Sequence, residues 1–553
     1  MKKYFIIALA ALGFAACAEK ISDGPSPEQT GELEQSYIAI NLMSSELDTR
    51  VNTDAPVLED GEAAERKVNS VHFFFFRQGV PFAVNAAGSA PGGDRNWLYA
   101  TTPSFTEDLD KDNISAYSNV MLVLNNYKGQ YPDQIVAVIN WTPDNDVYKL
   151  DELHAKLVGL QGNDGGFVMS NSVYKSGENV IDATAISGTY KTAAEAESNP
   201  VAIYVERVAA KVKVSTPAST IEGKWDATNK WFDTGKTSNL TTLGESQNKV
   251  YVKIQNWSLY NARTQSTLLK SIDPTWTDDA LGLTWNDSPR FRSYWADAKE
   301  YSSTYINDNT FNWTYGNPLE GSEYCGENTA SQEENRTKLI LKGQLVDANS
   351  NALELVKWNG QEMVKVENLK MAVAAQLQYL VYSYTYTNKE DKATYTYSPI
   401  TFEDIECISG ANEGAPENVK NYQVFFQLKT GLDKSWAVKS GDEWDYKDAS
   451  QLNSYLSVNI PPATVYADGQ TYYYVDIKHL GTSGKTAEYG IVRNHIYDIE
   501  IQSIKGYGTP VFIPGGNIVV PETPTEEEGV YVAAKINVLS WRVVKQGVNI
   551  DVN

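Results

Sequence analysis

The chain has 553 residues, 42% hydrophobic and 21% charged, which supplies ordinary packed interiors and argues against global disorder. A formal net charge of −23 argues against nucleic acid as a partner, since nucleic-acid binding needs a positive surface to displace counterions, and against adhesion to anionic lipid heads. Cysteine usage is sparse, at three residues.

The chain opens with Lys2 and Lys3, followed by an apolar run over residues 4–14. That is the length of a signal peptide and about half of the roughly twenty residues that span a bilayer. Small residues Ala15 and Ala16 stand directly before Cys17. A lipoprotein signal peptidase reads such a junction, after which the Cys17 sulfur is acylated; a general signal-peptidase cut after Ala16 is the alternative. Either way residues 1–16 are excluded from the fold, and the protein works outside the cytoplasm. One acylated terminus is an anchor and not a span. Residues 17–35 are rich in Pro, Gly, Ser and Glu and read as a flexible tether.

Residues 36–43 carry the first strand signal, with Ile38, Ile40 and Leu42 alternating with Ala39 and Asn41. A polar stretch over 46–54 follows, in which Arg50 is the only basic residue. An exposed loop with a single Arg is a ready site for a trypsin-like protease, cutting between Arg50 and Val51.

Beyond it the pattern is β. Residues 71–76 are apolar on both faces, as in a strand covered on both sides, and 120–124 and 135–140 share that character. Residues 204–214 end in alternation, and further strands are expected at 249–257, 337–346, 371–387, 422–428, 472–479 and 496–504. The best short helix candidates are 151–160 and 372–379. Many short strands with Gly, Asn and Pro turns favour sandwiches over an α/β fold. A Thr-, Ser-, Asn- and Gly-rich stretch after Ser215 places a domain boundary near residue 215, and 276–328 reads as a long polar and aromatic insertion.

The last strand is set apart by a Pro- and Glu-rich leader over 521–529. Val532, Ala534, Ile536 and Val538 then occupy one phase, which switches at Leu539, Trp541 and Val543, as a bulge would allow. An alternating strand thus stands at each end of the mature chain. Both also fit as ordinary edge strands of their own domains.

Several segments together resemble the fimbrillins of Bacteroidales, the pilins of type V pili, and their minor-fimbrium branch in particular. They are Cys17; Arg50 after the first strand; Phe167-Val168-Met169-Ser170-Asn171; Tyr204-Val205-Glu206-Arg207-Val208-Ala209-Ala210-Lys211-Val212; Tyr324-Cys325-Gly326-Glu327-Asn328-Thr329; Gly490-Ile491-Val492-Arg493-Asn494-His495-Ile496-Tyr497; and Ile536-Asn537-Val538-Leu539-Ser540-Trp541. The resemblance implies an all-β chain of two transthyretin-like β-sandwich domains with short helices and a C-terminal donor strand. Its division here is a signal peptide over 1–16, a propeptide over 17–50, domains over 51–215 and 216–528, and a donor over 529–553. It also implies an outer-membrane lipoprotein precursor cut after Arg50 by a trypsin-like or Arg-specific protease. Removal of the strand bearing Ile38, Ile40 and Leu42 opens a groove, which the C-terminal strand of another subunit fills through Val532, Ala534, Ile536, Val538, Leu539 and Trp541. The implied product is a cell-surface fimbrium supporting adhesion, with other copies and accessory fimbrial subunits as partners.

No catalytic constellation competes with that reading. The four histidines, His72, His154, His479 and His495, are scattered with no two at metal-ligand spacing, and neither Cys325 nor Cys407 has a nearby His. No enzyme, cofactor or metal is expected, and whether Cys325 and Cys407 pair stays open. The competing class is a surface glycan-binding lipoprotein of the outer membrane, with Trp295, Trp313 and Tyr315 as a stacking platform.

Overall fold

The computed structural model describes residues 5–7, 34–44, 62–84, 95–101, 106–107, 116–126, 131–163, 165–176, 179–238, 249–272, 295–298, 305–306, 310–312, 316–389, 392–479, 488–512, 517–519 and 531–540. The chain is mostly β, as its alternating apolar pattern dictates. Four short α-helices are present among these residues: α1 (Leu150–Ala155), α2 (Ala193–Ser198), α3 (Val366–Leu377) and α4 (Ala449–Asn459).

The first sheet contains β1 (Glu34–Ser44), β2 (Ser70–Arg77), β3 (Ala116–Asn126), β4 (Gln134–Ile139), β5 (Met169–Asn171) and β6 (Val201–Arg207). Its spatial order is β3-β1-β6-β5-β4-β2; Phe5–Ile7, of the segment expected to stand outside the fold as a signal peptide, runs parallel on the outer side of β3. All six residues from Val71 to Phe76 are buried, as their two-faced apolarity requires. Phe73 and Phe75 enter one core with Val120, Leu122, Ile135 and Ile203. Phe74 and Phe76 enter a second on the opposite face, with Val136, Val138, Leu268 and Leu269.

The chain leaves this sheet at Val208 and Ala209, and β7 (Ala210–Ser215) already belongs to another. The alternation over 204–214 is therefore two strands in two sheets. A four-stranded sheet orders β10 (Ser322–Cys325), β7, β17 (His495–Lys505) and β18 (Tyr531–Ser540). A six-stranded antiparallel sheet has as its inner strands β8 (Trp231–Thr237), β9 (Lys249–Tyr260), β11 (Lys338–Val346) and β16 (Gln470–Asp476). Val212 and Val214 of β7, Ile499 and Ile501 of β17, Val252 of β9 and Leu341 of β11 share one core, so the two sheets form a β-sandwich.

A third core lies within residues 356–465. There α3 buries Leu369, Val373 and Leu377 at four-residue spacing, and α4 is capped by Asp448, whose side chain accepts from the Gln451 N–H. The helix expected over 372–379 is observed, but begins at Val366 and ends at Leu377; the strand expected over 371–387 is corrected, since the alternation of tyrosines begins only with β12 (Val381–Lys389). With β13 (Lys392–Pro399), β14 (Ser435–Ser440) and β15 (Glu443–Lys447) it builds a sheet ordered β13-β12-β14-β15. The helix candidate over 151–160 is likewise shorter, since α1 stops at Ala155 and Leu157–Gly159 is extended.

Candidate functional site: the two end strands

β1 lies between two neighbours. It runs antiparallel to β3, with Ile38 opposite Leu122 and Ile40 opposite Val120, and parallel to β6, with Ile40 opposite Val201 and Leu42 opposite Ile203. Ile38 is 1% exposed and Ile40 is 0% exposed, in the core shared by Val120, Leu122, Val201 and Ile203. Ala39 turns to the other face, where it meets Met121 and Ala196 of α2. Period-two alternation thus puts the branched residues into the core and the small one under a helix. Without β1, the edges of β3 and β6 would both be unpaired beside an open apolar slot.

β18 is held on one side only. It pairs antiparallel with β17 of its own chain, with Val532 opposite Ile504, Ala534 opposite Ile501, Ile536 opposite Ile499, Val538 opposite Tyr497 and Leu539 opposite Ile496. Its other edge has no strand beside it among the described residues. The bulge expected at the phase switch near Leu539 is corrected. Pairing runs unbroken there, and the irregularity falls where Ile501 and Ser503 flank Gln502, opposite Ala534 and Ala533. Cys17, Arg50, Val51 and Trp541 lie outside the described residues, as do Trp313 and Tyr315. Trp295 is 1% exposed and packs beside His479 and Val492, so it offers no surface for stacking.

Three of the motifs, distant in sequence, meet in the fold. In Glu206-Arg207-Val208-Ala209-Ala210-Lys211 the charged residues interrupt buried apolar strands, and each has a buried partner. Lys270 lies 3.0 Å from Glu206, both fully buried. Lys211 donates to Glu65 at 2.6 Å, and Tyr324 also donates to that carboxylate. The Arg207 Nε donates to the Glu65 carbonyl at 2.9 Å, and its Nη1 to Asn494 Oδ1 at 3.3 Å. Arg493 donates to Glu327 at 2.6 Å and to the Thr267 carbonyl at 2.7 Å. A Cβ at Gly326 would sit 2.1 Å from the Gln265 carbonyl oxygen, which explains a glycine between Cys325 and Glu327.

These contacts form a polar seam where β6 of the first sheet passes into β7 of the second. Burial pushes the Glu65 carboxyl up, but hydrogen bonds from Lys211 and Tyr324 outweigh it and hold the group below its ordinary value. Burial draws the Lys270 ammonium down despite Glu206. The sequence signal was available: a charged residue inside a strand otherwise buried on both faces demands a partner.

Cys325 and Cys407 are free thiols, the first buried, with burial pushing the second up to about 12. Among the described residues no group of three or more His, Cys, Asp or Glu could hold a metal ion. No helix there is long and apolar enough to cross a membrane.

Residues 464–547 match the family model described as major fimbrial subunit protein type IV, fimbrillin, C-terminal. That span runs from the strand before β16 through the whole of β18. No curated protein sequence matches the chain. Among solved structures, a Parabacteroides distasonis protein ascribed to cell adhesion is 12% identical at a TM-score of 0.37, covering 92% of this chain and 98% of its own. A fimbrilin from Porphyromonas gingivalis is 12% identical at 0.32, covering 92% and 99%. The tip fimbrial protein Mfa3 of that organism is 11% identical at 0.30, covering 92% and 100%. Superpositions that loose support no inference about this chain.

Proposed function

We propose, from the match of residues 464–547 to a fimbrillin C-terminal family model, that the chain is a shaft pilin that polymerises by strand exchange at the cell surface. The precursor is an outer-membrane lipoprotein held through Cys17, with residues 17–50 as its propeptide. A trypsin-like or Arg-specific protease cuts between Arg50 and Val51, and the propeptide departs with Ile38, Ile40 and Leu42. Residues 51–215 and 216–528 are the two domains that remain, with β7 at the end of the first span already paired into the sheet of the second, and 529–553 is the donor. The vacated slot receives Val532, Ala534, Ile536, Val538, Leu539 and Trp541 of the next copy.

The observation that carries this reading is the interior position of β1, only six residues before Arg50. A segment destined for proteolytic removal is here a central strand of the sheet. Its loss leaves a defect of defined length: β1 has 11 residues and β18 has 10. A donor copying the pairing of β1 runs antiparallel to β3 and parallel to β6. Each large apolar side chain buried in the slot contributes about 1.5–3 kcal/mol, and ladder bonds add to it. Ordering a free tail costs about 1–2 kcal/mol per residue. That cost is reduced because β18 is already extended, and leaving β17 breaks one ladder while the slot offers two. A contact of this head-to-tail kind does not close on itself and gives filaments. Possession of both end strands favours a shaft position, with other copies and accessory fimbrial subunits as neighbours.

Arg50→Ala is the direct test. Treated with trypsin, the wild type should form ladders on a gel and the variant should remain a folded monomer. Ladders from the variant would overturn the mechanism.

A further inference from the structure

The sheet β13-β12-β14-β15 has two unlike faces. Val381, Trp436 and Val438 point inward to the core formed with α3 and α4. Strand alternation therefore turns Tyr382, Tyr384 and Tyr386 of β12 outward, and the register sets Tyr397 opposite Tyr384 and Tyr395 opposite Tyr386. Beyond β14, Trp444 and Tyr446 of β15 come up on the same face, with Tyr446 opposite Ala437.

The rings lean together over small Ala437. Tyr397 stacks on Trp444 with ring centroids 3.7 Å apart and planes 6° apart, and its hydroxyl lies 2.8 Å from that of Tyr446. Tyr382 meets Trp444 edge-on at 5.1 Å. Above this packed layer Tyr386, Tyr395 and Tyr446 remain 52%, 43% and 44% exposed, with Tyr395 within 5.2 Å of Tyr386 and 5.7 Å of Tyr446 by ring centroid. Cross-strand support of the hairpin accounts for the lower rings. It does not account for three contiguous exposed ones, because an ordinary solvated face carries charge.

Charge identifies the occupant. In a chain of net charge −23, the outward face of these four strands carries one charged residue, Lys439, whose Nζ sits 5.6 Å over the Trp444 ring. Glu443, Asp445 and Lys447 fall on the other phase of β15. A nearly neutral surface of rigid rings with hydroxyl rims gives a basic or acidic partner nothing to pair with. Apolar C–H faces of pyranose rings stack on such rings, while tyrosine hydroxyls reach the sugar hydroxyls. The rings are held in place before binding, so little side-chain freedom is lost. We propose that the outer face of this sheet binds an uncharged polysaccharide, with Tyr386, Tyr395 and Tyr446 as the stacking residues.

The full-length monomer is run by affinity electrophoresis through gels containing soluble β-glucan, mannan or galactan, with polygalacturonate as the charged control. Retardation by at least one neutral polymer is expected. The triple variant Tyr386→Ala, Tyr395→Ala, Tyr446→Ala should bind it about tenfold or more weakly, and the triple Phe variant should keep most of the affinity. If the triple Ala variant fails to fold by circular dichroism, Tyr386→Ala alone, at the hairpin tip, should still weaken binding several-fold. No retardation by any neutral polymer, retardation by polygalacturonate alone, or retardation unchanged in the variants overturns the proposal. So does concentration-dependent dimerisation in sedimentation that the triple variant abolishes, which would make a second copy the occupant. The assay needs no cleavage and no assembly, so it stands apart from the Arg50→Ala result.

Discussion

β1 and β18 carry the same kind of sequence and hold opposite positions. Each alternates apolar residues over about ten positions, yet among the described residues β1 has a strand on either side and β18 has one only. Alternation reports that a strand has an apolar face; it does not report how many neighbours the strand has. Here the strand that the proposed exchange would remove is paired on both sides, and the strand it would donate is paired on one side among the described residues.

That contrast is tested most severely by deleting each strand from otherwise intact protein. Loss of Glu34–Ser44 removes two fully buried isoleucines and both ladders, an expected cost of about 3–6 kcal/mol from the isoleucines alone, read as a large fall in the urea midpoint. Loss of Tyr531–Ser540 removes one ladder at an edge and should lower the midpoint far less. Equal losses would end the distinction between the two strands. Single substitutions sharpen it. Ile40→Ala should cost about 2–5 kcal/mol of monomer stability, because the site is closed on all sides by Val120, Val201 and their neighbours. Ile536→Ala should leave the monomer's midpoint nearly unchanged while reducing ladder formation after trypsin treatment.

How each region was legible follows from the same physics. Residues 71–76 and 135–139 announced themselves because strands covered on both faces need unbroken apolar runs. The strand at 249–260 and its partner at 338–346 followed from alternation. The third core was not separable, since nothing in residues 356–465 marks where one apolar cluster ends and another begins. Residues 371–387 carried both a helix and a strand expectation because Ala372, Val373, Ala374 and Leu377 suit either period until Leu369 is counted. The strand at 36–43 was readable from its alternation, but its position between two neighbours was not, since sheet order depends on long-range pairing. The seam is not legible motif by motif, because its ion pairs join residues as distant as Glu327 and Arg493.

The seam provides a test of intermediate size. Lys270→Ala leaves the Glu206 carboxylate buried without its ammonium, at an expected cost of about 3–5 kcal/mol in urea denaturation. Lys270→Met paired with Glu206→Leu should recover most of it, because a well-packed apolar pair avoids the cost of burying charge. If the double replacement is as damaging as the single one, the seam does more than match charges.

The smallest expected effect separates the two regions by pH. Glu323 lies on β10, in the sheet that carries β18, and burial pushes its carboxyl up to about 7 against hydrogen bonds from Asn317, the Leu259 backbone and Ser258. Between the ordinary value of 4.5 and about 7, the native state keeps a proton that the unfolded chain has released. Its contribution to stability therefore falls as pH rises through that window. Glu65, beside the first sheet, is held below 4.5, so its contribution is present above that value and is lost only as pH falls further. Glu323→Gln should accordingly gain about 1–3 kcal/mol over wild type at pH 8 and little or nothing at pH 5. Glu65→Gln should lose stability at both, with the deficit shrinking only in more acidic solution. Urea midpoints for the two variants across that range would show whether each carboxylate titrates in its own sheet, and a Glu323→Gln advantage that did not change with pH would remove the assignment.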